Sequence, residues 1–123
     1  MTERFCVNLS TGPENVDKAT VGFVVANAAL ASSKDVLVFL TIEAVRLGIV
    51  GGADGMHADG FAPLAEMIAA FGSNGGKILV CTPCAKVRGL DDKPLVNGGV
   101  LGGGAGLVEF MTTGEKTAAS VSF

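Results

Sequence analysis

Two cysteines three positions apart, Cys81 and Cys84, are the side chains in this sequence best suited to covalent chemistry. They lie within residues 75–90, GGKILVCTPCAKVRGL. Gly75 and Gly76 read as a turn and residues 78–80 as a short buried strand, so Cys81 falls where strand gives way to helix. At such a junction free backbone N–H groups and the positive end of the helix dipole lower a cysteine pKa and favour the thiolate. Cys81 is therefore the expected reactive atom. Cys84 belongs on the same face of the first helical turn, because residues i and i+3 are neighbours on a helix. A reversible Cys81–Cys84 disulfide is then geometrically reasonable. Pro83 is tolerated between them, since its missing N–H would have no intrahelical partner in a first turn. Lys86 and Arg88 add positive charge nearby.

The same spacing suits two inert core cysteines or half of a zinc site. Zinc takes about four ligands, and only Cys6, Cys81, Cys84 and His57, from distant segments, are on offer. Neither a metal nor a cofactor is expected. In a reducing compartment a C-x-x-C points to redox or sulfur chemistry before structural bridging.

A chain of 123 residues is read as one domain over 1–123, able to bury about two-thirds of its surface without a disulfide or metal scaffold. The net charge is −3 and the Lys and Arg residues are scattered, so no basic face for nucleic acid is visible. Without Trp or Tyr, base stacking would fall to Phe alone. The opening MTERFCVNL has neither a basic region nor a long apolar run, so no signal peptide is expected. The longest uncharged run, residues 19–33, is short for a bilayer and contains Gly22 and Asn27. The expected location is cytoplasmic, with no membrane contact. A hydrophobic fraction of 49% against 17% charged leaves surplus apolar surface, which predicts a homo-oligomer.

The elements that must position the cysteines follow from the pattern. Residues 4–9, RFCVNL, are apolar on both faces, as a central strand of a parallel sheet is, with Cys6 in the core. They run into Ser10-Thr11-Gly12-Pro13, a loop at the carboxyl edge of the sheet. Residues 14–31 read as a helix that is apolar almost all round from Ala19 onward, hence buried on more than one side and a candidate subunit interface. Residues 35–40, DVLVFL, are the second strand. Residues 41–47 read as a helix with Thr41 at its N-cap and Glu43 in its first turn. A parallel sheet puts Glu43 on the same edge as Cys81. There it could accept a proton, pair with a basic residue, or simply complement the helix dipole.

Residues 48–60 form a flexible Gly/Asp-rich loop with the one histidine, His57, for which plain solvation, proton transfer and substrate contact all stay open. Residues 61–71 read as an amphipathic helix with Pro63 in its first turn and Leu64, Ile68 and Phe71 on one stripe. The glycines of 98–106 fit neither phosphate-binding signature. G-x-G-x-x-G fails in every register, and Gly76-Lys77 is followed by Ile78 with Phe71 in place of the first glycine of G-x-x-x-x-G-K-[ST]. They are read instead as close helix–sheet packing around a short strand at Val100 and Leu101. A helix over 105–113, stopped by Gly114, and a strand over 117–123 complete the chain. Strands alternating with helices predict a three-layer α/β/α sandwich on a mostly parallel sheet of about five strands. Sites on such sheets form at the carboxyl ends of the strands, where Cys81, Ser10-Thr11-Gly12 and Glu43 should converge.

The order of NLSTGP (8–13), VANAAL (25–30), FLTIEAVRL (39–47), GGKILVCTPCAKVRG (75–89) and a closing Gly-rich strand–helix–strand resembles the DsrE/DsrF-like family. The resemblance covers nearly the whole chain and is most specific in the cysteine segment. It implies a DsrE-like sandwich of flavodoxin-like topology and a small trimeric or hexameric sulfur carrier of the TusD type. Members of that kind accept sulfur as a persulfide on a cysteine at the end of the third strand, the position of Cys81, and pass it from a donor to an acceptor protein. Thr11, Gly12, Glu43, Thr82, Lys86 and Arg88 are then expected around the substrate or the sulfur anion. Cys84 is a departure, because a relay needs only the first cysteine, and a persulfide on Cys81 could be attacked by Cys84 with release of sulfide.

A second reading is a thiol–disulfide oxidoreductase or peroxidase using the pair. The segment CTPCAK is similar to a thioredoxin-type CGPCK but lacks the preceding Trp, and Ile78 stands where a peroxidatic T-x-x-C needs Thr. A third is a non-catalytic oligomeric module that binds a small ligand or a partner's tail.

Overall fold

The computed structural model describes residues 2–123. Its five strands, β1 (Arg4–Leu9), β2 (Asp35–Leu40), β3 (Lys77–Cys81), β4 (Gly99–Gly102) and β5 (Ala119–Ser122), form one sheet in the order β4-β3-β2-β1-β5. Every pairing is parallel, with Leu9 opposite Leu40, Leu40 opposite Val80, and Cys81 opposite Gly102. The central strands owe their place to being apolar on both faces: in β2 every residue from Val36 to Leu40 is buried.

The connections explain the layers. The helix α1 (Val16–Ala31), a 3-10 segment (Ile42–Gly48) followed by α2 (Leu64–Ser73), and α3 (Thr82–Val87) carry the chain from β1 to β4, always stepping in the same direction. Right-handed crossovers therefore stack them on one face. After β4 the chain crosses to the far side of β1, so α4 (Gly104–Thr112) lies on the opposite face. Two cores result. The larger holds Val7, Leu9, Phe23, Leu40, Phe71 and Val80, while the smaller holds Cys6, Leu37, Phe39 and Leu79 beneath Leu107, Phe110 and Met111 of α4. The expected three-layer parallel sandwich is present. Its strand order, however, is not the flavodoxin-like 2-1-3-4-5, because the chain adds β2, β3 and β4 outward on one side of β1 and only β5 on the other.

Local chemistry sets the element ends. Asn15 caps α1 by accepting from the Lys18 N–H at 3.1 Å, so this helix starts two residues later than the sequence pattern suggests. Its apolar faces are shared between the sheet and α2, and the Asn27 amide ties it to α2 through the Met67 carbonyl at 3.1 Å. Val21 and Val24 are each left 36% exposed. In α2 the stripe of Leu64, Ile68 and Phe71 is buried as expected, but the helix begins at Leu64. Pro63 disfavours the α region for Ala62 and itself stands at ψ 138°, so the helix begins after it.

The segment expected as an ordinary helix over 41–47 is 3-10, and the Thr41 side chain makes no cap hydrogen bond. It is squeezed from both sides. A Cβ on Gly12 would lie 2.4 Å from the Glu43 carbonyl oxygen, and one on Gly48 would lie 2.6 Å from Val80 Cγ2. Glycine also lets α4 lie close on the sheet: a Cβ at Gly106 of α4 would lie 3.3 Å from Leu79 Cδ2, the helix–sheet packing read from these glycines, whereas Gly103 and Gly104 have nothing within 4 Å.

Candidate thiol site at the carboxyl edge of the sheet

Cys81 ends β3, stands at the N-cap of α3 and is half-buried. The start of α3 is tied to the neighbouring strand by Thr82, whose Oγ1 donates to the Gly102 carbonyl at 3.1 Å, and Ala85 buries the inner face of the helix. Pro83 lies in its first turn. One turn on, Cys84 is half-buried and free, like Cys81.

The two thiols differ in charge. Burial pushes the Cys81 thiol up, and its side-chain hydrogen bond with Cys84 pushes it further; the Cys84 N–H and the Arg88 charge act against this without overcoming it. Burial also pushes Cys84 up. There the hydrogen bond from Cys81, the backbone N–H of Ile42 and the Arg88 guanidinium outweigh it and hold Cys84 below the usual thiol range. Of the pair, Cys84 is therefore the thiol that gives up its proton more readily, whereas the sequence pattern pointed to Cys81. A helix of six residues supplies little dipole to Cys81, while the nearer donors are aimed at Cys84.

Arg88 organises this corner. Its Nη1 donates to the Cys84 carbonyl at 3.0 Å and its Nε to Glu43 Oε1 at 2.8 Å. The other Glu43 oxygen accepts from Arg46 Nε at 2.7 Å. Hydrogen bonds from Arg46 and then Arg88 hold the Glu43 carboxyl below the usual carboxylate range. Of the roles open to Glu43, the geometry realises pairing with basic residues.

Ile42, which sequence reasoning passed over, stands between Glu43 and β2 with φ of +53°. A β-branched side chain in this left-handed region is strained by about 1–3 kcal/mol and persists only where its surroundings hold it. Here Thr41 N–H donates to the Leu9 carbonyl at 3.0 Å and Ala44 N–H to the Thr41 carbonyl at 3.0 Å, which fixes the turn. No signal in T-I-E marks such a turn, because β-branched residues ordinarily avoid it.

The remaining predicted residues divide. Gly12 does reach this edge, against the Glu43 backbone, and its N–H donates to Glu14 Oε1 at 2.8 Å. Thr11 is buried and its hydroxyl donates to the Phe123 carbonyl at 3.4 Å, so it serves the loop's anchorage. Lys86 is exposed, and its ammonium makes no ion pair or hydrogen bond among the described residues. His57 is exposed, with Nε2 at 2.6 Å from the Phe61 carbonyl of its own loop. Cys6 is fully buried, and burial pushes its thiol up to about 11. Among the described residues no three His, Cys, Asp or Glu side chains cluster so as to hold a metal, and no helix is long and apolar enough to cross a membrane.

The chain as a whole is similar to known proteins. The uncharacterized protein MJ0760 of Methanocaldococcus jannaschii is 29% identical over 110 residues, which covers 89% of this chain and 40% of that protein. The chain thus spans about two-fifths of the length of that curated relative. The crystal structure of the ychN protein from E. coli superposes with a TM-score of 0.78 at 20% identity, covering 100% of both chains, which shows a common fold. The profile of the DsrE/DsrF-like family matches residues 3–117, taking in β1 to β4, the Glu43–Arg88 pair and both site cysteines, and on that match the chain belongs to the DsrE/DsrF-like family, a family related to sulfur relay.

Proposed function

We propose that the chain is a sulfur-relay protein that carries sulfane sulfur as a persulfide on Cys81, between a donor and an acceptor protein. One observation supports this above the others: a half-buried Cys81 thiol at the carboxyl end of β3, in hydrogen-bond contact with a Cys84 held below the usual thiol range. The thiolate, not the thiol, is the nucleophile, so a Cys81 that holds its proton needs a base beside it. Cys84 takes that proton as the Cys81 sulfur attacks the outer sulfur of a donor persulfide. The donor's own cysteine leaves as a thiolate and Cys81 keeps the transferred sulfur. Arg88 and the Ile42 N–H supply the positive potential at this edge. The protein works as a homo-oligomer, trimer or hexamer, in the cytoplasm, and as one DsrE-like unit. Val87, Val100 and Val108, at 79%, 58% and 60% exposure, are among the apolar side chains that contacts between copies could cover.

The test is an intact mass after exposure to a polysulfide donor. Cys84→Ser is expected to gain one sulfur, more slowly than wild type, and Cys81→Ser none. Loading that survives without Cys81 would end the reading. The split between the two thiols also favours thiol–disulfide exchange as a second activity. Insulin reduction that needs both cysteines, in a chain that takes up no sulfur, would put that reading first.

A further inference from the structure

A carrier needs one cysteine, and the surroundings of the second are built from three separate segments. Cys84 meets the Cys81 side chain at the end of β3, the Ile42 N–H of the 3-10 segment and the Arg88 guanidinium at the end of α3. Arg88 is held at both ends, by the Cys84 carbonyl at 3.0 Å and the Glu43 carboxylate at 2.8 Å. Glu43 follows directly on Ile42, the strained residue whose N–H faces the Cys84 sulfur. One ion pair thus clamps the backbone that carries Cys84 to the turn that donates to it. Among other charged groups nearby, Arg46 is occupied by Glu43, and Lys86 points from the exposed side of α3 without a partner among the described residues. Strain retained at a half-exposed turn calls for a function, and orienting an N–H at Cys84 is the one this geometry performs.

We propose that Cys84 is the resolving cysteine of this site, displacing the sulfur loaded on Cys81 as hydrosulfide, and that the Glu43–Arg88 pair is its positioning device. The step rests on the persulfide reading above. Cys84 first gives the proton it took up in loading to the departing donor thiolate; its Sγ then attacks Cys81 Sγ as a thiolate and a disulfide forms between them. The bond from Cys81 Sγ to the outer sulfur breaks, and its electron pair leaves on hydrosulfide, which keeps the persulfide's proton. The outer sulfur is reduced and the Cys84 sulfur is oxidised, while the Cys81 sulfur stays at the disulfide level, so no external oxidant takes part. A dithiol reductant then returns the pair to its starting state by exchange.

The experiment loads the full chain with polysulfide, removes the excess, and follows hydrosulfide release with a fluorescent trap alongside the protein mass. Wild type is expected to release one hydrosulfide per loaded chain and end two hydrogens lighter than the dithiol form, while Cys84→Ser keeps its added sulfur. Glu43→Gln and Arg88→Ala are expected to load and then release about tenfold more slowly, as a fall in thiolate fraction and alignment requires. In a Cys81→Ser background, either change should also move the pH midpoint for Cys84 alkylation upward, with Arg88→Lys in between. That shift separates positioning from mere folding, and Arg88→Lys and Glu43→Gln carry the test if Arg88→Ala does not fold. Release from Cys84→Ser at the wild-type rate, or unchanged release and midpoint in Glu43→Gln, overturns this step alone. A chain that takes up no sulfur on Cys81 overturns the carrier reading and the step with it.

Discussion

Arg88 Nε donates to Glu43 Oε1 at 2.8 Å across a separation of 45 residues, and so joins the helix after the cysteine strand to the turn after β2. Glu43 is held below the ordinary carboxylate range by Arg46 and Arg88, so its folded pKa lies beneath its unfolded one. A depressed carboxylate contributes stability that is present above the unfolded pKa and is lost as pH falls through the folded one. Wild type should therefore be more stable than Glu43→Gln at neutral pH, and the difference should close as pH falls through and below about 4. Urea midpoints of both proteins at a series of pH values measure this. A difference that stayed constant down to strongly acid pH would mean that the carboxylate's charge contributes nothing.

Gly12 and Gly103 make a controlled pair. A methyl at Gly12 would overlap the Glu43 carbonyl at 2.4 Å, a backbone atom that cannot swing aside, whereas one at Gly103 meets nothing within 4 Å. Gly12→Ala should cost about 1–3 kcal/mol and displace the Glu43 turn, so it should also slow Cys84 alkylation. Gly103→Ala should stay within about 0.5 kcal/mol of wild type. Denaturant unfolding of the two variants, with thiol reactivity read on the same samples, decides it. Equal stabilities would show that the two loops are not held together.

Much of this was legible in the sequence because it rests on local pattern. Strands such as DVLVFL can only be central, Leu64, Ile68 and Phe71 recur at helical spacing, and a C-x-x-C after a buried strand lands at the sheet's carboxyl edge. What escaped depends on contacts between distant segments. The strand order follows from where β5 returns, which no periodicity encodes. The lowered pKa of Cys84 follows from Cys81, Ile42 and Arg88, of which Ile42 is remote in the chain. The 3-10 form of 42–48 follows from Gly12 and Val80 pressing on it, a tertiary effect that overrides the helical propensity of I-E-A-V-R-L. Gly12 and Glu43 were expected at one edge, but their backbone contact had no sequence mark.

Cys6 supplies an internal reference for the thiol chemistry. It is fully buried between β-strands and α4, with its thiol pushed up to about 11 by burial. Because only the thiolate alkylates readily, Cys6 should remain unmodified in the folded protein at mildly alkaline pH. An alkylating reagent should modify Cys84 first and Cys81 more slowly in the native chain, and all 3 cysteines in denaturant. Native modification of Cys6 as fast as Cys81 would mean that the sheet opens on the α4 side.

The larger core holds a contact that a double-mutant cycle can read. The Phe71 ring is fully buried, meets Phe23 edge-on at a centroid distance of 5.9 Å, and presses on Gly76, where a Cβ would lie 2.4 Å from the ring. Gly76 immediately precedes β3 and so bears on how the cysteine strand leaves the turn after α2. Phe71→Ala should cost about 3–5 kcal/mol through the cavity it leaves. Gly76→Ala should cost about 1–3 kcal/mol through overpacking, because a ring wedged among core side chains cannot rotate away. In the double variant the new methyl enters space the ring has vacated. The combined loss should therefore fall short of the sum by about 0.5–3 kcal/mol, the range for residues in contact. Strict additivity in urea unfolding would show that the ring does not bear on Gly76. If it does bear there, Gly76→Ala alone should also alter Cys81 alkylation, since the strand it displaces ends at that thiol.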